Sequence, residues 1–575
     1  MRHLIHLLVV LCWSSVFSQF DPYMDTIKLT NTPLSKLDSL DIKYAELPST
    51  FTGGLSVVGH DLNPSLIFSR LNNHWLSRAS TLDRRDYFSA LPYLGFTYSI
   101  GGQGTQFLTT QFTQAFTDSL ILNVNYRRSS SNGYFRNAAF DRSSVRTSLN
   151  RKGIFYSFYL EGLFTSGNYQ HSGGVATDTL IETFGLEFSP VLKDNADSRY
   201  RAGELTLKNY FDFIETESFS TGVAHRTNYS IVNRKYNEID TLEGIYPIVN
   251  FSSDTTSDQY NHATISNFAG LFLQRTGYYF DGGIDYTYWR FQNLSNFIDT
   301  AEINLSSKLR LFFKKIELRN DFKFNLAGRF NEWHNHARIN SEFDKYNIRA
   351  WMNVGQYGLD PFRRSYLANN FKYLTTGSLK EFRLDIGGVA SVNFRRDDFK
   401  VSAGLRQITS PDLYVFNGDR WQNDSLNSVS ITSVSFSPAV KLKNFILNTK
   451  FVYNLSNTSY IPGFQMFSRI CLRGKLFKAK VLSFTTGVDF RYNSEYSVMN
   501  HIPGLDIASI SSSMVSSSSR INLDAFVNLG LERFAFYFRF ENIAYIWDDR
   551  IRQVVENYPI AGARMRLGIT WDFFN

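Results

Sequence analysis

Residues 562–575 read GARMRLGITWDFFN, and this stretch decides the fold. Every second position gives Met565, Leu567, Ile569, Trp571 and Phe573, with Arg564, Arg566, Gly568, Thr570 and Asp572 between them. Side chains of an extended strand point alternately to opposite faces, so one face here is wholly apolar and the other polar and charged. A half-buried strand of a soluble sandwich shows the same alternation. Recurrence along the whole chain, with tight turns on one side and long loops on the other, would instead select a closed barrel in lipid.

The recurrence is there. Leu94, Phe96, Tyr98 and Ile100 share a face, and Leu120, Leu122, Val124 and Tyr126 alternate with Ile121, Asn123, Asn125 and Arg127 after a turn at Thr117, Asp118 and Ser119. Near the C-terminus Ile521, Leu523, Ala525, Val527, Leu529 and Leu531 face one way, and Phe534, Phe536, Phe538 and Phe540 continue the same skin across a turn at Glu532. Other tight reversals fall at residues 150–153, 275–277, 314–315, 395–398, 443–444 and 478–479, between strands of about ten residues, the length that crosses a bilayer at a steep tilt. The opposite connections are long and polar, at residues 128–140, 233–258, 357–366, 409–427 and 493–519. Short turns face the periplasm in such barrels, so both chain ends lie there and the strand number is even. A raw count of about 24 breaks the alternation of short and long connections in residues 177–213 and 369–382. Removing one apparent strand from each gives an all-β transmembrane antiparallel barrel of about 22 strands, within a range of roughly 18 to 24.

Bulk composition agrees. No apolar run of helical-span length occurs beyond the N-terminus, which excludes a helical membrane protein. The 52 Phe and 32 Tyr exclude a disordered chain and suit strands and membrane interfaces. A net charge of +8, spread along the chain with no basic block, gives no nucleic-acid footprint. Of the two cysteines, Cys12 lies in the leader, and Cys471 alone makes no intrachain disulfide.

Arg2 and His3 precede an apolar run ending at Phe17, with small Ser18 placed for a signal peptidase. Residues 1–18 read as a signal peptide cleaved between Ser18 and Gln19. Residues 19–90, broken by Pro22, Pro33, Pro48 and Pro64, read as a periplasmic or lumen-filling segment, and residues 91–575 as the barrel. The expected location is the outer membrane of a Gram-negative bacterium.

Between residues 59 and 174 the order of features resembles an outer-membrane β-barrel porin family of Bacteroidota-type bacteria. The residues that carry it are Leu91-Pro92-Tyr93 leading to Phe96-Thr97-Tyr98, Gly101-Gly102 before Gln106-Phe107, residues 111–114, Tyr126-Arg127-Arg128, and residues 131–137, SNGYFRN. The resemblance implies a porin-like role without naming a solute. The last strand, Met565, Leu567, Ile569, Trp571 and Phe573, is similar to the signal read by barrel-assembly machinery, with Phe574 and Asn575 extending past the usual terminal aromatic.

Candidate chemistry is sparse. His334 and His336 could share a strand face but lack a third ligand in the sequence, so no metal is expected. Gly101, Gly102 and Gly104 form no phosphate loop, because no helix follows them. The serines of residues 509–519 have no evident base. No catalysis and no cofactor are expected. The inward set near the C-terminus remains: Asp524, Arg533, Arg539, Glu541, Arg564, Arg566 and Asp572 are candidate pore-lining residues. They form either a salt-bridged ladder that stiffens the wall or a constriction with a mild anion preference. The expected partners are outer-membrane lipid, the assembly machinery and small hydrophilic solutes. A barrel scaffold for secretion or surface assembly, or a barrel enzyme, are the competing readings. A plug-bearing receptor is disfavoured by the short, irregular segment ahead of the barrel. So wide a lumen calls for a filler, either residues 19–90 or inward-folded loops.

Overall fold

The computed structural model describes residues 26–28 and 86–574, apart from residues 90, 118, 217, 240–245, 247, 295, 329–331, 376–379, 395–397, 417–419, 424–427, 510–515, 518, 549–551 and 561. The predicted signal peptide and most of the predicted N-terminal segment lie outside the described residues.

Twenty-two antiparallel strands close into one barrel. In chain order they are β1 Tyr93–Gly101, β2 Thr105–Thr117, β3 Leu120–Ser131, β4 Phe140–Arg151, β5 Tyr156–Gln170 and β6 Ala196–Glu215. Next come β7 Phe219–Ile239, β8 Thr255–Arg275, β9 Tyr278–Asn293, β10 Asn296–Phe313, β11 Ile316–Ala327 and β12 Trp333–Glu342. The far side is built from β13 Tyr346–Gly358, β14 Lys380–Phe394, β15 Phe399–Ser410, β16 Val429–Leu442 and β17 Phe445–Ser456. The last five are β18 Phe464–Leu476, β19 Leu482–Asn493, β20 Arg520–Leu531, β21 Phe534–Glu541 and β22 Arg564–Phe574. Each pairs with its successor, and β22 pairs back onto β1 with Tyr93 opposite Phe574, so no barrel strand is left with an open edge.

The two-residue rhythm separates the faces as expected. Leu94, Ile100, Met565, Leu567, Trp571 and Phe573 are exposed on the outer skin, while Tyr93, Thr97, Tyr537, Arg539, Thr570 and Asp572 are buried inside. Within the wall the backbone hydrogen bonds run from strand to strand, the condition for crossing hydrocarbon. Gly568 serves the inner face: a Cβ there would sit 2.1 Å from the Tyr537 ring, so the tyrosine lies flat across the neighbouring strand.

One rim carries only short turns, the last of them between β20 and β21, and the other carries all the long loops, the longest being residues 494–519, together with tight links between β1 and β2 and between β9 and β10. The two breaks in the sequence count resolve as loop structure. One is a helix, α1, Asp178–Phe184. The other is a hairpin of Ser365–Leu367 with Lys372–Leu374, which pairs outside the barrel. Strand length is where the sequence reading falls short. β6, β7 and β8 run 20, 21 and 21 residues rather than about ten, so both ends of the expected loop at 233–258, residues 233–239 and 255–258, are strand. At about 3.3 Å per residue and a tilt near 45°, such strands rise roughly 50 Å, well above the ~25 Å apolar band. Above that band both faces are wet, and Asn233, Arg234, Lys235, Asn237 and Glu238 give no apolar face to read.

Candidate functional site

Six of the seven predicted lumen residues lie on the inner face of β20 to β22, and five of them join one network with β18 and β19. Arg539 bonds Asp489 at 2.8 Å and Asp524 at 2.9 Å. Arg491 reaches Asp524 at 3.0 Å, and Arg469 grips Asp489 through two bonds of 2.7 and 2.8 Å. Glu541 takes Arg564 and, at 3.2 Å, Arg566. Asp489 is fully buried, and Asp524 and Arg539 are 3% and 2% exposed. Asp572 accepts instead from the Tyr93 hydroxyl at 2.7 Å, across the β1–β22 seam. Arg533 is not on the wall at all: it falls in the turn between β20 and β21 and is exposed at the short-turn rim, because the strand's inward alternation stops before the reversal. The sequence named five members of this network; Asp489, Arg469 and Arg491 belong to strands whose register it could not supply.

A second cluster ties the segment ahead of the barrel into the lumen. Asp86, 7% exposed, accepts from Arg146 at 2.7 Å and from the Ser148 hydroxyl at 2.7 Å. Arg146, with no exposed surface, also bonds Glu161 at 2.6 Å. The Tyr87 amide donates to Asn123 at 3.0 Å. Asp86–Phe88 pairs in parallel with Thr26–Lys28. Asp86 and Tyr87 thus contact the inner face of β3 and β4.

The long-loop rim is bridged. Residues 494–519 are rooted between β19 and β20, yet Arg234 on β7, nearly opposite in the ring, donates to the Gly504 carbonyl at 2.6 Å and to Pro503 at 2.5 Å. Leu505 and Ile507 pack there with Tyr260, Phe362, Tyr366, Tyr373, Phe416 and Trp421, contributed by β8 and by the loops at 359–379 and 411–428. A second apolar cluster joins Val555 and Tyr558 of the β21–β22 loop to Phe135, Phe140 and Tyr169 on the far side of the seam. Beneath the bridge His171 is buried, bonds the Ser198 hydroxyl at 2.7 Å and lies 6.2 Å from the His501 ring, which itself contacts Asp506 at 3.2 Å. Burial, reinforced by His501, Arg234 and Lys193, holds the His171 imidazole well below its ordinary pKa.

Below this cap the inner face of β10 to β15 carries a row the sequence reading missed. Arg310 is directly opposite Arg319, and Arg319 opposite Arg338. Arg338 is opposite Trp351, Trp351 opposite Gly387, and Gly387 opposite Arg406. A cavity of about 970 Å³ opens in front, with Arg338, Arg349, Asn340, Trp351, Ser391 and Lys400 in its lining. His334 and His336 share this inner wall with rings 5.0 Å apart, and His336 is engaged by Asn353 at 3.0 Å. No group of three metal-ligating side chains occurs among the described residues. The Gly101–Gly104 stretch is a turn, closed by the Thr105 amide on the Gly102 carbonyl at 3.2 Å.

A closed cylinder with an apolar skin, a charged interior and one bridged mouth defines a β-barrel of the outer-membrane transport class. Within that class the chain belongs to the family described as “Putative porin”, which matches residues 78–575. No curated protein matches it in sequence. Solved structures share its architecture at low identity. The copper transporter OprC is 10% identical with a TM-score of 0.61, covering 88% of this chain and 84% of that one. The FrpB iron transporter from Neisseria meningitidis is 8% identical with a TM-score of 0.58, covering 84% and 83%. A variant of the ferric enterobactin receptor PfeA from Pseudomonas aeruginosa is 8% identical with a TM-score of 0.57, covering 87% and 84%. At such identities the likeness is one of fold.

Proposed function

We propose that the protein is an outer-membrane porin with a partly occluded, gated path for small hydrophilic solutes. One observation carries the reading: the mouth is bridged from wall to wall by the Arg234 contact to residues 503–504, while the wall beneath stays lined with water-accessible charged and amide side chains. A wet interior suits solute passage, and a bridge held by one guanidinium and an aromatic cluster suits a gate rather than a permanent seal. By the usual orientation of such barrels the bridged rim faces outward. The neighbours that carry copper or iron share the fold, and an occluded transport barrel is consistent with that company.

Single-channel recording of the full chain in planar bilayers tests this. The expected trace is a low basal conductance with brief openings, together with uptake of small solutes into liposomes. A steady conductance of the size a 22-strand lumen would give removes the gate. Silence in both assays, with the barrel intact, favours a scaffold for surface assembly instead.

A further inference from the structure

We propose that the inner wall of β10 to β15 is a binding track for small multivalent oxyanions, phosphates or polycarboxylates, centred on Arg338, Arg349 and Trp351. The inference deepens the solute-path reading and rests on it.

Placement is the argument. Three arginines stand directly opposite one another on successive strands, Arg310, Arg319 and Arg338. Like charges in directly opposed positions weaken a sheet, so rigidity does not explain the row. A wall built only for strength sets opposite signs side by side, as the adjacent row does with Lys308 opposite Asp321. The network on β18 to β22 likewise gives its arginines buried carboxylates. Here Arg319 is engaged by Glu317 and Arg406 by Asp385, but Arg338 and Arg349 have no ion-pair partner among the described residues, and both are exposed to the lumen. Lys400 adds a third such cation; of the two carboxylates in the lining, Glu317 is held by Arg319 and Glu342 is exposed at the edge.

Trp351 is fixed beside them. Its ring lies over Gly387, where a Cβ would come 2.5 Å from Cζ2, and its indole N–H donates to Asp385 at 3.0 Å. Arg406 bonds the same carboxylate at 2.8 and 2.7 Å with its guanidinium 5.8 Å from the ring. The result is a rigid flat surface flanked by guanidinium forks, which match carboxylate and phosphate oxygens bidentately. A cavity of about 970 Å³ admits a solute of pyrophosphate or citrate size.

Trp351 is also the reporter. The full chain in detergent is titrated with pyrophosphate or citrate at constant ionic strength while tryptophan emission is followed. A saturable change is expected, absent in Trp351→Phe, weakened at least tenfold in Arg338→Gln and Arg349→Gln, intermediate in Arg338→Lys, and unchanged in Lys443→Gln at a short turn outside the cavity. Tighter pyrophosphate binding assigns the track to phosphates, and tighter citrate binding to polycarboxylates. Absence of saturable binding, or wild-type affinity in both glutamine variants while heat-modifiable gel mobility shows folded barrels, overturns the proposal. Binding in detergent needs no conduction. A barrel that binds but never passes solute therefore fails the path and keeps the track, and one that passes solute without binding fails the track alone.

Discussion

Arg234→Ala is expected to loosen the bridge over the mouth without unfolding the barrel. Arg234 is 2% exposed and gives two charge-assisted hydrogen bonds to backbone carbonyls of residues 503 and 504. Such bonds contribute about 1.5–3 kcal/mol each, so their joint loss costs the closed arrangement roughly 3–6 kcal/mol. Leu505 and Ile507 remain buried among the aromatic rings, and fully burying an aliphatic side chain is worth about 1.5–3 kcal/mol, so the bridge weakens without dissolving. Each 1.4 kcal/mol is a factor of ten, and even the lower bound raises the open population by roughly 10². Limited proteolysis of intact proteoliposomes reads that population directly when reclosing outpaces cleavage. Cleavage within residues 494–519 should accelerate by about that factor, with longer open dwell times in single-channel records. Cleavage within threefold of the wild-type rate, with unchanged dwell times, would refute the reasoning.

Other outcomes follow from the same structure. Leu567→Arg, on the lipid face of β22, should cost about 2–4 kcal/mol and lower the temperature at which heat-modifiable mobility is lost; no shift would contradict the assigned face. Acid should loosen the cap through His171. The buried imidazole is neutral in the closed arrangement, whereas the opened form takes up a proton below a pKa near 6.5. The closed state is thus at full strength above about pH 6.5 and loses up to about 1.4 kcal/mol per unit as the pH falls below it. Asp506 faces His501, and His501, Arg234 and Lys193 all oppose a charge on His171. Protease resistance compared at pH 7.5 and 5.5 checks this, with His171→Gln expected to show the flatter dependence. Finally, Arg338→Gln should raise thermal stability slightly, by about 0.2–1 kcal/mol, because it removes a directly opposed like charge. A loss of stability would mean that the row has a structural role.

The sequence carried the barrel because lipid imposes its demand at every second residue: Phe534 to Phe540 and Met565 to Phe573 must be apolar wherever they touch hydrocarbon. The strand count was recoverable because short and long connections alternate, which exposed α1 and the 365–374 hairpin as loop. Where lipid ends the signal ends, and residues 233–239 of β7 and 255–258 of β8 read as loop although they remain paired strand. The interior was harder. Arg539, Glu541, Arg564 and Arg566 lie close enough in the chain to be seen together, but their partners Asp489 and Arg469 come from β19 and β18. Arg310, Arg319 and Arg338 look unremarkable along the chain, each a single inward residue with at least one apolar neighbour. Only the register across three strands turns them into a row, and register depends on turn geometry that single residues do not encode.

The seam between β1 and β22 sets a condition on how the molecule is made. Tyr93 and Asp572 are hydrogen-bonded across 479 positions of chain, so β1, already paired with β2 on one side, gains its second neighbour only when the last strand is in place. Until then the amide and carbonyl groups along its free edge are an open invitation to pair wrongly. A premature stop upstream of residue 564 would not give a slightly narrower tube. It would give a ribbon with two bare margins, unable to rest in hydrocarbon and fit only for degradation.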